Sequence, residues 1–280
     1  MAKILIIGCG AIGSKLATIL SENNHMVVGL KRIPPVQKPD KWVFFSADIA
    51  IEKQLEELST DFDQVFFIIS PEKRNEQSYQ KIYRAGLNNL IRRFAKDNRK
   101  PHWIFVSSTC VYHQSDGEWV DENSLVEPIS NTSKLIREAE QTLLANLPES
   151  TIVRFSGIYG PERRRLIKIA NSSPSIQYHP DYYTNRIHEQ DCVAVLQFLS
   201  QQQLNGVHLE NYYLASDDKP ATQWEVISWL ADKMQAKPPV MKMGDETASM
   251  NKRCNNQRLK ALGYEFKFPG YKEGYSKILD

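Results

Sequence analysis

The chain has 280 residues, and 35 Lys and Arg against 33 Asp and Glu leave a formal charge of +2, which gives no electrostatic case for nucleic acid or an anionic membrane as a partner. No apolar run approaches the roughly 18 residues of a membrane span, and four scattered cysteines (Cys9, Cys110, Cys192 and Cys254) without a CxxC argue against a zinc site or a disulfide framework. What remains is a soluble α/β protein expected in the reducing cytoplasm, and these figures alone do not say what it does.

The first element is a strand. Ile4 to Ile7 is an apolar run ending in Gly8-Cys9-Gly10-Ala11-Ile12-Gly13. A helix through Leu16, Ile19 and Leu20 comes next, then a second strand at Met26 to Leu30. The run is too short for the apolar region of a signal peptide, and no small-residue cleavage site ends it. A GxGxxG framed by strand, helix and strand within about thirty residues reads as a dinucleotide-binding turn. Gly8 permits the tight turn, Gly10 lets the backbone approach a pyrophosphate, and Gly13 lets helix and strand pack closely. The N–H groups of the helix start, at Ala11 and Ile12, and its partial positive charge suit phosphates.

The end of the second strand bears on which dinucleotide. NAD binders carry a carboxylate roughly twenty residues on, for the ribose 2′-hydroxyl. Here the strand ends in Gly29-Leu30-Lys31-Arg32, with no acid between Glu22 and Asp40. Two cations there favour a 2′-phosphate, so the expected cofactor is NADP(H), with NAD(H) as the alternative. As solvated loop charges, Lys31 and Arg32 would carry no such preference.

Strand and helix signals alternate from there. Trp42 to Phe45 reads as a strand, Ile51 to Leu58 as a helix and Val65 to Ile69 as a fully buried strand. A long amphipathic helix from Glu76 to Lys96, a strand at Trp103 to Val106, a helix at Lys134 to Ala145 and a strand at Thr151 to Phe155 follow. This alternation predicts an α/β fold with a doubly wound parallel sheet, a Rossmann domain over residues 1–156 with 186–210 packing back onto it. Beyond Gly157, seven prolines from Pro161 to Pro269 punctuate shorter elements, which predicts a smaller, interwoven substrate lobe over 157–280. Ligands of such sheets gather outside the carboxyl ends of the strands. That singles out Ser70, the segment Ser107 to Tyr112 and the residues after Phe155. Trp224, Val226, Ile227 and Leu230 keep helical spacing and read as core.

Several of these segments resemble one family. Ser107-Ser108-Thr109-Cys110-Val111-Tyr112 is similar to the SSTxVYG segment of the extended short-chain dehydrogenases/reductases. Ser133-Lys134-Leu135 with Glu138 resembles the SKxxxE of that family's active-site helix. Gly157-Ile158-Tyr159-Gly160-Pro161 is similar to its NVYGP, and Asn185-Arg186-Ile187-His188 through Asp191 to its FIHVxD. The matches keep the family's order to about residue 195, and on them the chain is identified as an atypical member of the NAD-dependent epimerase/dehydratase-like group. The resemblance implies an oxidoreductase or epimerase/dehydratase acting on a nucleoside-diphosphate sugar or a small hydroxylated or carbonyl substrate. It implies Lys134 as a ribose-binding cation, Ser108 as a contact to the substrate oxygen and Asp48 at the adenine-contacting position. Ser108 and Asp48 would equally serve as caps, and Lys134 as an exposed helical lysine.

Two departures stand out. Ile7 occupies the place of the first glycine of the family's GxxGxxG. More consequentially, the family's catalytic pair is YxxxK, and the residue four before Lys134 is Ser130. A serine hydroxyl does not reach the pKa of a working general base without an adjacent base of its own. Tyr112 and Tyr159, in loops expected at the site, are the candidate substitutes, although buried tyrosines more often pack. If none serves, the chain is a non-catalytic NADP(H)-binding sensor or regulatory protein.

Substrate contacts are expected from Thr109, Tyr159, Arg163 and Arg186, since arginine forks suit diphosphates and aromatic rings stack on bases or sugars. The stripe Tyr79, Ile82, Tyr83 and Leu90 is compatible with a homodimer through the long helices, and equally with packing on the sheet.

Overall fold

Four consecutive residues without exposed surface, Ile4 to Ile7, make β1 (Lys3–Ile7) a strand covered on both faces, as a parallel sheet between helices requires. The computed structural model describes residues 1–37, 39–97, 99–244 and 250–280. From β1 the chain runs through α1 (Ala11–Glu22), β2 (Met26–Lys31), β3 (Val43–Ser46) and β4 (Gln64–Phe67). Next come α2 (Glu76–Tyr79), a π-helical stretch at Gln80–Gly86, α3 (Leu87–Ala95), β5 (His102–Ser108) and a 3-10 turn at Thr109–Val111. Then follow β6 (Glu118–Val120), α4 (Asn131–Asn146), β7 (Thr151–Phe155), β8 (Gly157–Tyr159), α5 (Arg165–Ala170), β9 (Ser175–His179), β10 (Tyr183–Thr184) and β11 (Arg186–His188). The last elements are α6 (Glu189–Leu204), β12 (Tyr212–Ala215), β13 (Ala221–Thr222), α7 (Gln223–Lys233), β14 (Val240–Met243), β15 (Lys252–Cys254), α8 (Gln257–Ala261) and α9 (Tyr271–Leu279).

Seven strands form one sheet in the order β12-β7-β5-β4-β1-β2-β3, parallel along the pairs from β5 to β3. The chain leaves β1 toward β2 and β3, then crosses to β4 on the other side. The strand order therefore reverses between β1 and β4, the place where open α/β sheets bind ligands. α1 buries Ile12, Gly13, Leu16, Ala17 and Leu20 along one face, the spacing of a helix laid on a sheet.

Two expected helices differ. In place of a helix over Ile51–Leu58 there is one 3-10 turn, Glu52–Leu55. The Asp48 carboxylate accepts the Ala50 N–H at 3.0 Å and the Gln54 side chain accepts the Asp48 N–H at 2.7 Å, which closes a tight local turn. Ile51 is exposed there, so no apolar face of helical length exists. The long helix is present but passes through the π stretch, ending where Gly86 presses its backbone on Ile49.

The chain divides into two compact units, one of residues 1–111, 128–154 and 193–213, the other of 112–127, 155–192 and 214–280. The first holds the sheet core, with Val65, Phe66, Phe67, Trp103, Ile104 and Phe105 fully buried. In it, Tyr83 and Leu90 of the long helix lie inside the unit's own core. The second has a separate core of Tyr159, Ile176, Val226, Ile227, Leu230, Tyr275 and neighbours, with α7 held at its start by a Thr222–Glu225 capping box.

Candidate cofactor and catalytic site

The glycine turn is closed toward the protein and open toward solvent. Gly8 sits at φ +104°, and a Cβ there would fall 2.7 Å from Ile69 Cγ1 and 2.8 Å from the Ile68 carbonyl carbon. A Cβ on Gly13 would lie 2.2 Å from the Gly8 oxygen, so only glycine lets α1 approach β1 this closely. At Gly10 nothing lies within 4 Å of the same position. Gly10 is also the N-cap of α1, with no side-chain cap and no acid in the first turn. The first N–H groups of a helix have no intrahelical partner, so Ala11, Ile12 and Gly13 present donors beside an empty approach. Unpaired donors and the positive end of the helix beside an open backbone suit a dinucleotide pyrophosphate.

Lys31, the last residue of β2, donates from Nζ to the Cys9 carbonyl at 3.1 Å and so sets a cation on the turn itself. Burial pushes the Cys9 thiol up to about 12 against the opposing charge of Lys31, which makes it a packing residue rather than a nucleophile. Arg32 pairs with Glu72 at the surface. Burial alone would raise the Asp48 carboxyl, but the Lys81 ammonium at 2.7 Å, the Ala50 N–H and the Arg32 charge bring it below its usual value. Ser70 is exposed just beyond β4, one residue after the Ile69 that packs on Gly8.

The end of β5 and the start of α4 carry the other expected groups of the first unit. Ser108 Oγ accepts the Cys110 N–H at 3.2 Å, so it fixes the turn that leaves the strand, and Thr109 beside it is buried. Ser130 is the N-cap of α4, its hydroxyl accepting the Ser133 N–H at 3.2 Å and donating to Ser133 Oγ at 2.8 Å. Lys134 is exposed on the first turn of that helix. Asn131 donates to Glu76 at 2.8 Å, which ties the start of α4 to the start of α2.

Of the expected residues of the second unit, Tyr112, Tyr159 and Arg186 are buried and Arg163 is partly exposed. Tyr112 is fully buried and its hydroxyl donates to the Asp121 carbonyl at 2.7 Å. Tyr159 stacks on Tyr275 at 4.4 Å and meets His188 edge-on at 5.2 Å, and burial raises its phenol pKa, reinforced by Asp217 and Tyr275. Arg163 pairs with Glu189 at 3.2 Å. Arg186 is 2% exposed, donates to the Thr184 carbonyl at 3.0 Å and lies over the Tyr271 ring at 5.5 Å.

Sequence reasoning missed three features. The SKxxxE pattern pointed to Glu138, yet Glu138 pairs with Arg84 at the surface, whereas Glu140, two residues on, is wholly buried. Arg154 reaches Glu140 with two hydrogen bonds of 2.9 and 2.7 Å, Arg137 adds one of 2.9 Å, and Ser107 donates to it at 2.5 Å. Asp217, 1% exposed, closes no side-chain hydrogen bond. Tyr79, part of the stripe read as a dimer face or as packing, is half-buried, and burial with the charge of Cys110 raises its phenol. An arginine inside the apolar run Thr151–Phe155 was the one available signal, since such a charge demands a buried partner.

Comparison with known proteins gives the same frame. The family model of the NAD dependent epimerase/dehydratase family matches residues 4–176. Protein YeeZ of Escherichia coli strain K12 is 25% identical over 276 residues, spanning 96% of this chain and 97% of that protein. A solved structure from Methylobacillus flagellatus, provisionally named an NAD-dependent epimerase/dehydratase, is 33% identical with a TM-score of 0.83, covering 99% of this chain and 97% of that one. The UDP-glucuronic acid 4-epimerase of Bacillus cereus, solved in complex with NAD, shares the fold at 20% identity and a TM-score of 0.78, with 99% and 96% covered.

Proposed function

The chain belongs to the NAD-dependent epimerase/dehydratase family, and we propose that it is an NAD(P)-dependent oxidoreductase or epimerase/dehydratase acting on a nucleoside-diphosphate sugar or a small hydroxylated or carbonyl substrate. The observation that carries this reading is the glycine turn, sterically closed at Gly8 and Gly13 and open at Gly10. When bound, the dinucleotide supplies a hydride acceptor or donor. Gly10, Ala11, Ile12 and Gly13 would hold its pyrophosphate, Lys134 its ribose, Asp48 its adenine end and Ser70 the loop beside it. Lys31 and Arg32 support NADP(H) over NAD(H), with Lys31 already fixed on the turn. Ser108 would hold the substrate oxygen. The proposed setting is the cytoplasm, supported by four free thiols.

Ser130 favours a second reading. Its hydroxyl is spent as a helix cap, so a non-catalytic NADP(H) sensor keeps the cradle without needing a relay. Calorimetric titration of NADPH and NADH into wild type and Gly10→Ala tests the cradle. NADPH should bind more tightly, and Gly10→Ala should keep its melting temperature while losing roughly tenfold or more in affinity, about 1.4 kcal/mol. Tighter NADH binding would remove the 2′-phosphate argument, and no binding of either would refute the reading. Absorbance at 340 nm for net oxidation, together with chromatography of the sugar nucleotide for redox-neutral epimerisation or dehydration, after adding UDP-glucuronic acid or UDP-glucose to the NADP⁺- or NAD⁺-loaded protein, separates enzyme from sensor.

A further inference from the structure

The missing tyrosine at position 130 leaves open which group moves the hydroxyl proton, and the first unit narrows the choice. Four tyrosines belong to that unit: Tyr79, Tyr83, Tyr212 and Tyr213. Tyr83 donates to the Ile69 carbonyl at 3.4 Å, Tyr212 accepts from Arg137 at 3.1 Å, and Tyr213 accepts the Glu210 N–H at 3.2 Å. Among the described residues, the Tyr79 hydroxyl closes no hydrogen bond, and its side chain is half-exposed.

Its placement is specific. Tyr79 ends α2 where the helix passes into the π stretch, and π-helical turns recur at functional sites. Its ring lies 5.6 Å from that of Tyr83, which is itself packed 6.3 Å from Phe67 of β4 and 6.2 Å from Phe105 of β5. Burial raises both phenols above their usual value, with the Cys110 thiol, two residues beyond Ser108, adding to it, so the Tyr79 phenolate needs a cation beside it to form. The charge of Arg74, in the loop before α2, works in the opposite direction on Tyr79. The Asn131–Glu76 hydrogen bond fixes this end of the long helix to the turn of α4 that bears Lys134. Tyr79 therefore lies one helical turn before the Tyr83 whose hydroxyl reaches the Ile69 carbonyl just past β4, on the side of the sheet's carboxyl ends.

We infer that Tyr79 is the catalytic acid/base of this chain, a phenol delivered from α2 rather than from α4; this rests on the dinucleotide-dependent reading above. In the oxidative direction, a secondary alcohol of the substrate loses its O–H proton to the Tyr79 phenolate and its C–H hydride to the oxidised nicotinamide, leaving a carbonyl. In the return, the carbonyl carbon takes the hydride back and the carbonyl oxygen takes the proton from the Tyr79 phenol. Tyr83 is a positioning residue that holds the Tyr79 ring.

The test uses the full chain and NADP⁺ or NAD⁺ as the probe. Calorimetry first establishes binding, and the 295 nm tyrosinate difference absorbance is then recorded at fixed alkaline pH with and without cofactor. The cationic nicotinamide should increase tyrosinate in wild type and in Tyr112→Phe, and the increase should vanish in Tyr79→Phe, a substitution that keeps the ring. With a sugar nucleotide that wild type oxidises, Tyr79→Phe should lose at least about 10²-fold in kcat, the usual contribution of a general base, with KM changed far less. Cofactor binding with no tyrosinate change, or with a change that survives in Tyr79→Phe, would overturn the assignment of Tyr79 alone. Failure of both dinucleotides to bind would overturn it together with the functional reading.

Discussion

Replacing Arg154 with leucine isolates the buried charge cluster behind β5. Arg154 is 1% exposed and Glu140 wholly buried, joined by two hydrogen bonds of 2.9 and 2.7 Å. Removing one partner of such a pair costs about 3–5 kcal/mol, because the remaining charge stays in a medium that cannot solvate it. Here Glu140 would keep Arg137 at 2.9 Å and the Ser107 hydroxyl at 2.5 Å, which places the expected loss at the lower end, about 3 kcal/mol. At about 2–4 °C per kcal/mol for chains approaching this length, the melting temperature should fall by about 6–12 °C. Thermal unfolding followed by circular dichroism, with urea titration for the free energy, measures both. Leucine at both positions should recover part of the loss, since it removes the stranded carboxylate as well. A single substitution costing under about 1 kcal/mol, or a double one no better than the single, would refute the reasoning.

Two further outcomes follow from single residues. Burial lifts the Asp217 carboxyl from 3.8 to about 7, against the lowering influence of the Arg186 charge. The folded state therefore holds the proton more tightly than the unfolded chain. Its stabilising contribution is full below about pH 4 and is lost as pH rises through about 7, up to about 4 kcal/mol; Asp217→Asn should flatten that slope in urea titrations between pH 4 and 8, and an unchanged slope would count against it. Ser130→Tyr removes the acceptor of the Ser133 N–H, so it should cost about 1 kcal/mol of stability; it should also add no turnover if Tyr79 is the relay, and a gain in rate would restore the proton transfer to α4.

The sheet was legible because its central strands are covered on both faces. Ile4 to Ile7 and Val65 to Phe67 read as unbroken apolar runs, and the structure leaves none of them exposed. The glycine turn was legible because its spacing is set within six residues: Gly8 takes a positive φ and Gly13 packs on the Gly8 carbonyl, and only the contact of Gly8 with Ile68 and Ile69 needs the rest of the sheet. The helix expected at Ile51–Leu58 is one 3-10 turn because only Leu55 and Leu58 of that stretch are buried while Ile51 is exposed, too little apolar face to hold a longer helix. Tyr79 was hidden by its neighbour. At spacing four, Tyr79 and Tyr83 form the same stripe, and what separates them is the Ile69 carbonyl that occupies one hydroxyl and not the other. Likewise the charged partner of Arg154 was one helical residue of several, and only packing selects Glu140 over Glu138.

These observations bear on how a site of this kind keeps its frame without its usual phenol. An N-cap requires a short side chain whose oxygen reaches back to a backbone N–H, from an extended residue such as Ser130 at φ −71° and ψ 144°. A phenol oxygen, a ring's length away, cannot serve there, so capping and proton relay are alternatives at position 130. The other parts do not depend on that choice. Ser108 is held by its own turn and lies beside Ser107, which is anchored on Glu140. The turn bearing Lys134 is tied through Asn131 to α2, the same helix that carries Tyr79. A cation, a serine and a phenol are therefore referenced to one another through α2, α4 and β5. With the cap taking the hydroxyl of Ser130, the phenol whose hydroxyl is uncommitted in that frame is the one on α2.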